Sequence, residues 1–304
     1  MRFSGHETFS IREGWLHKGL TMLIETPERL FDDHAEDYLG VGRNMAKSIR
    51  HWLQATRLAE ADPLRRGRLQ ATPLGHCIAG HDRYFVEPGT WWVLHVNLVN
   101  EPSYAETWMW FFNRFNLERF DRAVVVENLR RHVQMQSAKE VSVKTLDRDV
   151  ACLLSSYAKP IPGDTDDPEE ARDCPFRQLD LMSYFRTSGY YQLHQYVKPI
   201  PAEVLGYCLS MAFPETREAG EACDVGLYEA GRAPGGPGRA FCLNSESLFE
   251  VASRAERDSR HGELQIVGHA GSRQIRVVRR QPIDWVEAYY ASIAQEVHHA
   301  TAGA

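Results

Sequence analysis

Cysteine is scarce and poorly spaced for a framework: six residues, at 77, 152, 174, 208, 223 and 242, lie among 304 with no C-x-x-C pair. Such spacing argues against a disulfide scaffold or a structural zinc site and reads as scattered buried thiols. The nearest thing to a ligand cluster is His76-Cys77 with His81-Asp82. It holds zinc only if the segment curls so that three side chains meet at one ion, and the plainer reading is a helix followed by its cap. Long apolar runs are also missing, since none approaches the roughly 18 residues needed to span a bilayer. The opening MRFSGHETFS carries no apolar signal core, so a cytoplasmic location with no membrane contact is expected. Excess positive charge is lacking as well: 35 Lys and Arg against 41 Asp and Glu leave a net charge of -6. A polyanion can therefore bind only through a local basic patch on an acidic body. What is present, 43% hydrophobic and 11% aromatic residues, suffices for sizeable cores in two or three units.

Residues 39–58, LGVGRNMAKSIRHWLQATRL, carry two opposed stripes at helical spacing. Val41, Met45, Ile49, Trp52 and Leu53 fall on one side, and Arg43, Lys47, Arg50, Gln54 and Arg57 on the other. One face wants a core and the other wants phosphate. A turn-rich basic segment follows, Asp62-Pro63-Leu64-Arg65-Arg66-Gly67-Arg68, then a helix opening at Thr72. A basic helix ahead of a hairpin with arginines at its tip is the layout of a winged helix-turn-helix. The alternative is a solvated amphipathic helix beside a loop.

Three parts are expected. Residues 1–88 form a winged-helix-like DNA-binding domain whose first helix covers 11–25. Residues 89–160 form a bundle of four helices. Residues 161–304 form a C-terminal helical, winged-helix-like domain in which a helix capped by Asn244 precedes the hairpin GELQIVG–RQIRVVRR. The fold class is thus mainly α with minor β. Residues 159–175, rich in proline and acid, read as a linker or exposed loop. Gly235-Gly236-Pro237-Gly238 is not a phosphate loop, lacking the lysine and hydroxyl residue of that motif. The aromatic band of Trp91, Trp92, Trp108, Trp110, Phe111, Phe112 and Phe115 reads as core because its second half follows i, i+3, i+4, i+7. A base-stacking role would require rings exposed beside Arg43 or Arg50.

The motifs GHETF at 5–9, GWL at 14–16, LGVGRNM at 39–45, TWMWFFNRF at 107–115, TLDRDV at 145–150, DCP at 173–175, PGRAF at 237–241 and EAYY at 287–290 together resemble the bacterial SspB-like family. The resemblance covers essentially the whole chain. It implies a component of a DNA phosphorothioation system for antiviral defence, a nickase that opens a strand so that sulfur can replace a non-bridging phosphate oxygen. It also implies company: a cysteine desulfurase, an ATPase and an ATP-pyrophosphatase-like subunit.

Strand cleavage needs carboxylates holding Mg²⁺ or Mn²⁺, or a covalent nucleophile. No familiar nuclease signature is present, so the catalytic candidates are motif residues of suitable chemistry: His6 and Glu7 before the first helix, Asp149 beside Arg148, and Asp173. Glu7 and Asp149 are the candidate metal ligands. Each also has a plainer role, Glu7 at a helix start, Asp149 in an ion pair or cap, Asp173 in a turn. The DNA-binding candidates are Arg43, Asn44, Lys47, Arg50, Arg57, Arg65, Arg66, Arg68 and, on the C-terminal hairpin, Arg276. A non-catalytic scaffold and a transcriptional regulator of the same system remain alternatives.

Overall fold

In the computed structural model, which describes residues 3–136, 140–161, 174–259, 262–269 and 272–302, periodicity decides most elements. In α1 (Trp15–Glu25) Trp15, Leu16, Leu20 and Leu23 are buried. Two short helices follow, α2 (Pro27–Leu30) and α3 (Ala35–Leu39). Next comes α4 (Arg43–Ala55), with Ala46, Ile49, Trp52 and Leu53 buried. A Cβ on Gly19 would sit 2.5 Å from Ile49 Cγ2, so the glycine is what lets α1 and α4 approach this closely. The strands β1 (Ala59–Ala61) and β2 (Leu69–Ala71) pair antiparallel with Ala59 opposite Ala71. Thr72 then caps α5 (Pro73–His81) by accepting the Gly75 N–H.

The four expected central helices are α6 (Pro88–Val99), α7 (Glu106–Arg114), α8 (Arg122–Gln136) and α9 (Val143–Tyr157). From Gly89 onward α6 is buried on every side, which explains its lack of a polar face. All seven residues of the aromatic band are buried, so none is a stacking platform. At the centre His95 Nδ1 meets the Tyr157 hydroxyl at 2.9 Å. A sheet absent from the sequence reading packs beside this bundle. Its strands β3 (Arg119–Phe120), β4 (Ala158–Ile161), β5 (Met182–Phe185) and β6 (Tyr190–Leu193) lie in the order β3-β6-β5-β4, with only β4 and β5 parallel. The pieces are two to four residues long, too short for alternation to show. A 3₁₀ turn, Pro175–Leu179, leads into β5.

Contacts divide the chain into two units, Met1–His194 and Gln195–Ala304, where the sequence reading expects three segments. The second unit contains α10 (Ala202–Ala212), β7 (Ala222–Gly226), α11 (Leu227–Arg232), α12 (Pro237–Ala240), α13 (Ser245–Asp258), β8 (Leu264–His269), β9 (Ser272–Val278) and α14 (Pro282–Ala302). Asn244 caps α13 by accepting the Glu246 and Ser247 N–H groups. The β8–β9 hairpin is joined by β7, giving an antiparallel sheet of order β7-β9-β8. Gly206 lets α10 lie against the buried Trp285 of α14. No helix among the described residues is long and apolar enough to cross a membrane.

Candidate nucleic-acid interface and the His6–Asp149 centre

The basic face of α4 is narrower than its sequence suggests. Ser48 and His51 are buried along with the apolar stripe, leaving Arg43, Asn44 and Lys47 exposed on the first turns. Lys47 Nζ lies 3.4 Å from Asn44 Oδ1. Arg50 is half-buried: its Nη1 donates to the Leu30 carbonyl at 2.9 Å, and burial lowers its pKa against the opposing pull of Glu36. Arg57 is held by Glu101 Oε2 at 3.2 Å and by the Asn100 carbonyl at 2.8 Å. Both therefore brace the fold, because a guanidinium spent on internal acceptors has little left for phosphate.

Between β1 and β2, Asp62 Oδ1 accepts the N–H groups of Leu64 and Arg65, and Gly67 takes φ +78°. This Asx turn leaves Arg65, Arg66 and Arg68 exposed at the tip. The guanidiniums of Arg68 and Arg50 lie 5.0 and 6.0 Å from the Phe31 ring centre, so hairpin and α4 converge on one aromatic. Arg276 on β9 does not join a basic face. Its Nε and Nη2 make a fork to Asp224 at 2.8 and 2.9 Å, which neutralises it across the strand pair.

The catalytic candidates separate. His6 and Asp149, 143 residues apart, come together at 3.1 Å with both side chains buried. The Thr8 N–H donates to His6 Nδ1 at 3.1 Å, which makes that nitrogen an acceptor and leaves Nε2–H to donate to Asp149 Oδ1. The same oxygen accepts from Ser4 N at 2.7 Å and Ser4 Oγ at 3.2 Å, while Oδ2 accepts from Thr107 Oγ1 at 3.1 Å. The His6 ring stacks on Trp52 and meets Trp108 edge-on. Ser48 Oγ holds the His6 carbonyl, and Trp52 Nε1 holds that of Phe9. The GHETF segment is thus anchored to the core through His6. Its backbone is strained to do so, with Ser4, Glu7 and Thr8 at φ 59°, 51° and 71°. Asp173 lies outside the described residues.

The fold is mainly α with minor β, and it displays basic residues on α4 and on the β1–β2 hairpin. The chain belongs to the family described as Protein of unknown function (DUF4007), which matches residues 3–290. Two solved structures are similar to it over 95% of this chain and 88% of theirs, each at 27% identity. One is a magnesium ion-bound SspB crystal structure with a TM-score of 0.80, the other an SspB crystal structure with a TM-score of 0.78. None of the curated proteins matches the chain.

The Glu7–Asp149 pair does not fit a magnesium ion. Asp149 Oδ1 already receives three donors and the side chain is 4% exposed, so an ion would have to displace buried hydrogen bonds. Glu7 shares none of these contacts, and no group of three or more His, Cys, Asp or Glu among the described residues is arranged to hold a metal. Asp149 acts instead as an acceptor hub joining the N-terminal segment, α7 and α9. Sequence reasoning singled out His6 and Asp149 through their motifs as catalytic candidates and did not foresee their buried contact; it passed over Ser4, and over Thr107 although that residue opens the TWMWFFNRF motif.

Proposed function

We propose that this protein is the DNA-engaging component of a phosphorothioation system and serves as its nickase. In this reading α1, α4 and the β1–β2 hairpin act as a winged helix, with Arg43, Asn44 and Lys47 at the groove and Arg65, Arg66 and Arg68 on the backbone. The observation that carries it is that Arg50 of α4 and Arg68 of the hairpin both approach the Phe31 ring, so the helix and the hairpin tip lie close together in an otherwise acidic chain. The likeness to SspB supports the system assignment. The reading gives the protein a cysteine desulfurase, an ATPase and an ATP-pyrophosphatase-like protein as partners, in the cytoplasm. Cleavage with Mg²⁺ or Mn²⁺ extends the reading, but its ligands are not Glu7 with Asp149. The saturated Asp149 favours a second reading, a non-catalytic subunit that delivers DNA to partner enzymes. Incubating the purified protein with supercoiled plasmid, with and without EDTA, separates them. Open circles that EDTA abolishes support the nickase; plasmid that is bound yet stays supercoiled in both lanes supports the delivery subunit.

A further inference from the structure

Residues 62–68, between β1 and β2, carry the most exposed large apolar side chain among the described residues: Leu64, 92% accessible. A leucine standing alone in water is ordinary on a protein surface, so exposure by itself decides nothing. What sets this one apart is how firmly it is presented. Asp62 Oδ1 accepts the N–H groups of Leu64 and Arg65 at 2.8 and 3.2 Å. The Asp62 N–H donates to the Arg68 carbonyl, and the Arg68 N–H to the Arg65 carbonyl, each at 3.0 Å. These bonds fix the tip through backbone and Asp62 alone. The Leu64 side chain is held out in one place without being needed for the turn.

Cations surround it. Arg65 and Arg66 follow directly and are exposed, and among the described residues neither has a side-chain hydrogen bond or ion pair. The hairpin's own carboxylates are engaged: Asp62 in the turn, and Glu60 with Gln70 Nε2 at 2.8 Å. A leucine collared by guanidiniums suits the commoner apolar docking sites poorly. Protein pockets that take an apolar anchor are depleted of charge at their core, and one leucine is too little apolar surface for a bilayer. Duplex DNA joins a polyanionic exterior to an apolar interior, the base stack, which apolar wedges enter from the minor groove. We propose that Leu64 inserts between two base pairs of duplex DNA from the minor groove, unstacking and kinking that step, with Arg65 and Arg66 on the bordering phosphates. The inference rests on the reading of the protein as a DNA-engaging component and adds to it a deformation of the duplex.

The placement of the hairpin agrees. Arg50 of α4 and Arg68 both approach Phe31, so a helix lying in the major groove brings the tip to the adjoining minor groove. A tip already fixed by its own hydrogen bonds orders little new chain on insertion, which lowers the entropic cost of binding. The wedge also assigns sequence preference. Pyrimidine–purine steps such as TA unstack most readily, whereas phosphate contacts carry no sequence information. Preference for such a step therefore belongs to Leu64, and affinity shared by all sequences belongs to the arginines.

The test uses the full chain at low salt with short duplexes holding a single TA step: one dye-labelled at both ends, one with 2-aminopurine at the step, and one with a mismatch there. Wild-type binding should raise energy transfer between the ends, as a kink of about 20–90° requires. It should also brighten 2-aminopurine, whose emission stacking quenches. The mismatched duplex, already partly unstacked, should bind about tenfold tighter than the matched one. Leu64→Ser should lose all three effects and Leu64→Met should keep them, and with the side chain exposed both should melt with the wild type. Arg65→Ala with Arg66→Ala should weaken matched and mismatched duplexes alike. A Leu64→Ser protein that still kinks DNA and still prefers the mismatch would overturn the wedge, as would a wild type that binds duplex without kinking it; the DNA-engaging reading survives both results. A wild type that binds no duplex overturns the wedge and that reading together.

Discussion

Replacing Asp149 by asparagine separates a catalytic carboxylate from a folding hub. An amide that keeps oxygen toward Ser4 and His6 retains three acceptor contacts in neutral form and turns its NH₂ toward the Thr107 hydroxyl. Each contact falls from charge-assisted to neutral strength, about 1 kcal/mol apiece. Relief from burying a charge returns part of that, leaving a net loss of about 1–3 kcal/mol. Asp149→Ala strands every donor, and breaking a buried charged network costs about 3–5 kcal/mol. For a unit of this size 1 kcal/mol shifts Tm by about 2–4 °C, so asparagine should lower it by several degrees and alanine by about 10 °C or more. Calorimetry beside a plasmid-nicking assay reads both quantities, and activity should be lost only in step with folded protein. A variant that melts like the wild type yet no longer nicks would refute the hub argument and return Asp149 to the chemistry.

The remaining predictions concern the surface and the solution pH. Arg43→Ala with Lys47→Ala should flatten the log-affinity against log-salt slope for duplex by about 2 units in fluorescence anisotropy, and an unchanged slope would remove α4 from the interface. Arg50→Ala should instead lower Tm, because its guanidinium serves the Leu30 carbonyl. Joint loss of Arg65, Arg66 and Arg68 should weaken unrelated duplexes equally, whereas a changed preference in competition would mean that the hairpin reads a groove. Partial burial, then Asp82, holds the Glu87 carboxyl above its ordinary pKa, so the folded state binds more protons and stability falls as pH rises through and above the ordinary carboxylate range. Glu87→Gln should remove that decline from the pH profile of Tm, and identical profiles would disprove the attribution.

The central helices were legible because their apolar residues recur at a period the helix itself imposes; Trp108, Phe111, Phe112 and Phe115 are buried where that period puts them. The hairpin after α4 was legible from Asp62, Pro63 and Gly67, residues with turn chemistry of their own. The four-stranded sheet was not, since Arg119–Phe120 and Ala158–Ile161 are too short to show alternation and take their pairing from chain far away in sequence. Charge was misread wherever a partner was remote: Arg276 and Asp224 meet only through the β7–β9 register, and Arg57 reaches Glu101 44 residues on.

His6 links the Asp149 hub to the strained turn at Thr8, and that link can be tested by changing the ring alone. Its ring does two jobs: Nε2–H donates to Asp149, and Nδ1 accepts the N–H of Thr8. Glutamine can reach the Asp149 carboxylate with an amide N–H but offers the Thr8 amide no acceptor in the ring's place. Thr8 is β-branched at φ 71°, a conformation costing on the order of 1–3 kcal/mol that persists only while something holds it. In His6→Gln the hub keeps its donor and the Thr8 turn relaxes. Tm should therefore fall by a few degrees while duplex affinity through α4 stays at the wild-type value. A loss of duplex affinity alongside the fall in Tm would mean that the substitution damages the whole unit, and an unchanged Tm would mean that nothing depends on the bond from the Thr8 N–H to Nδ1.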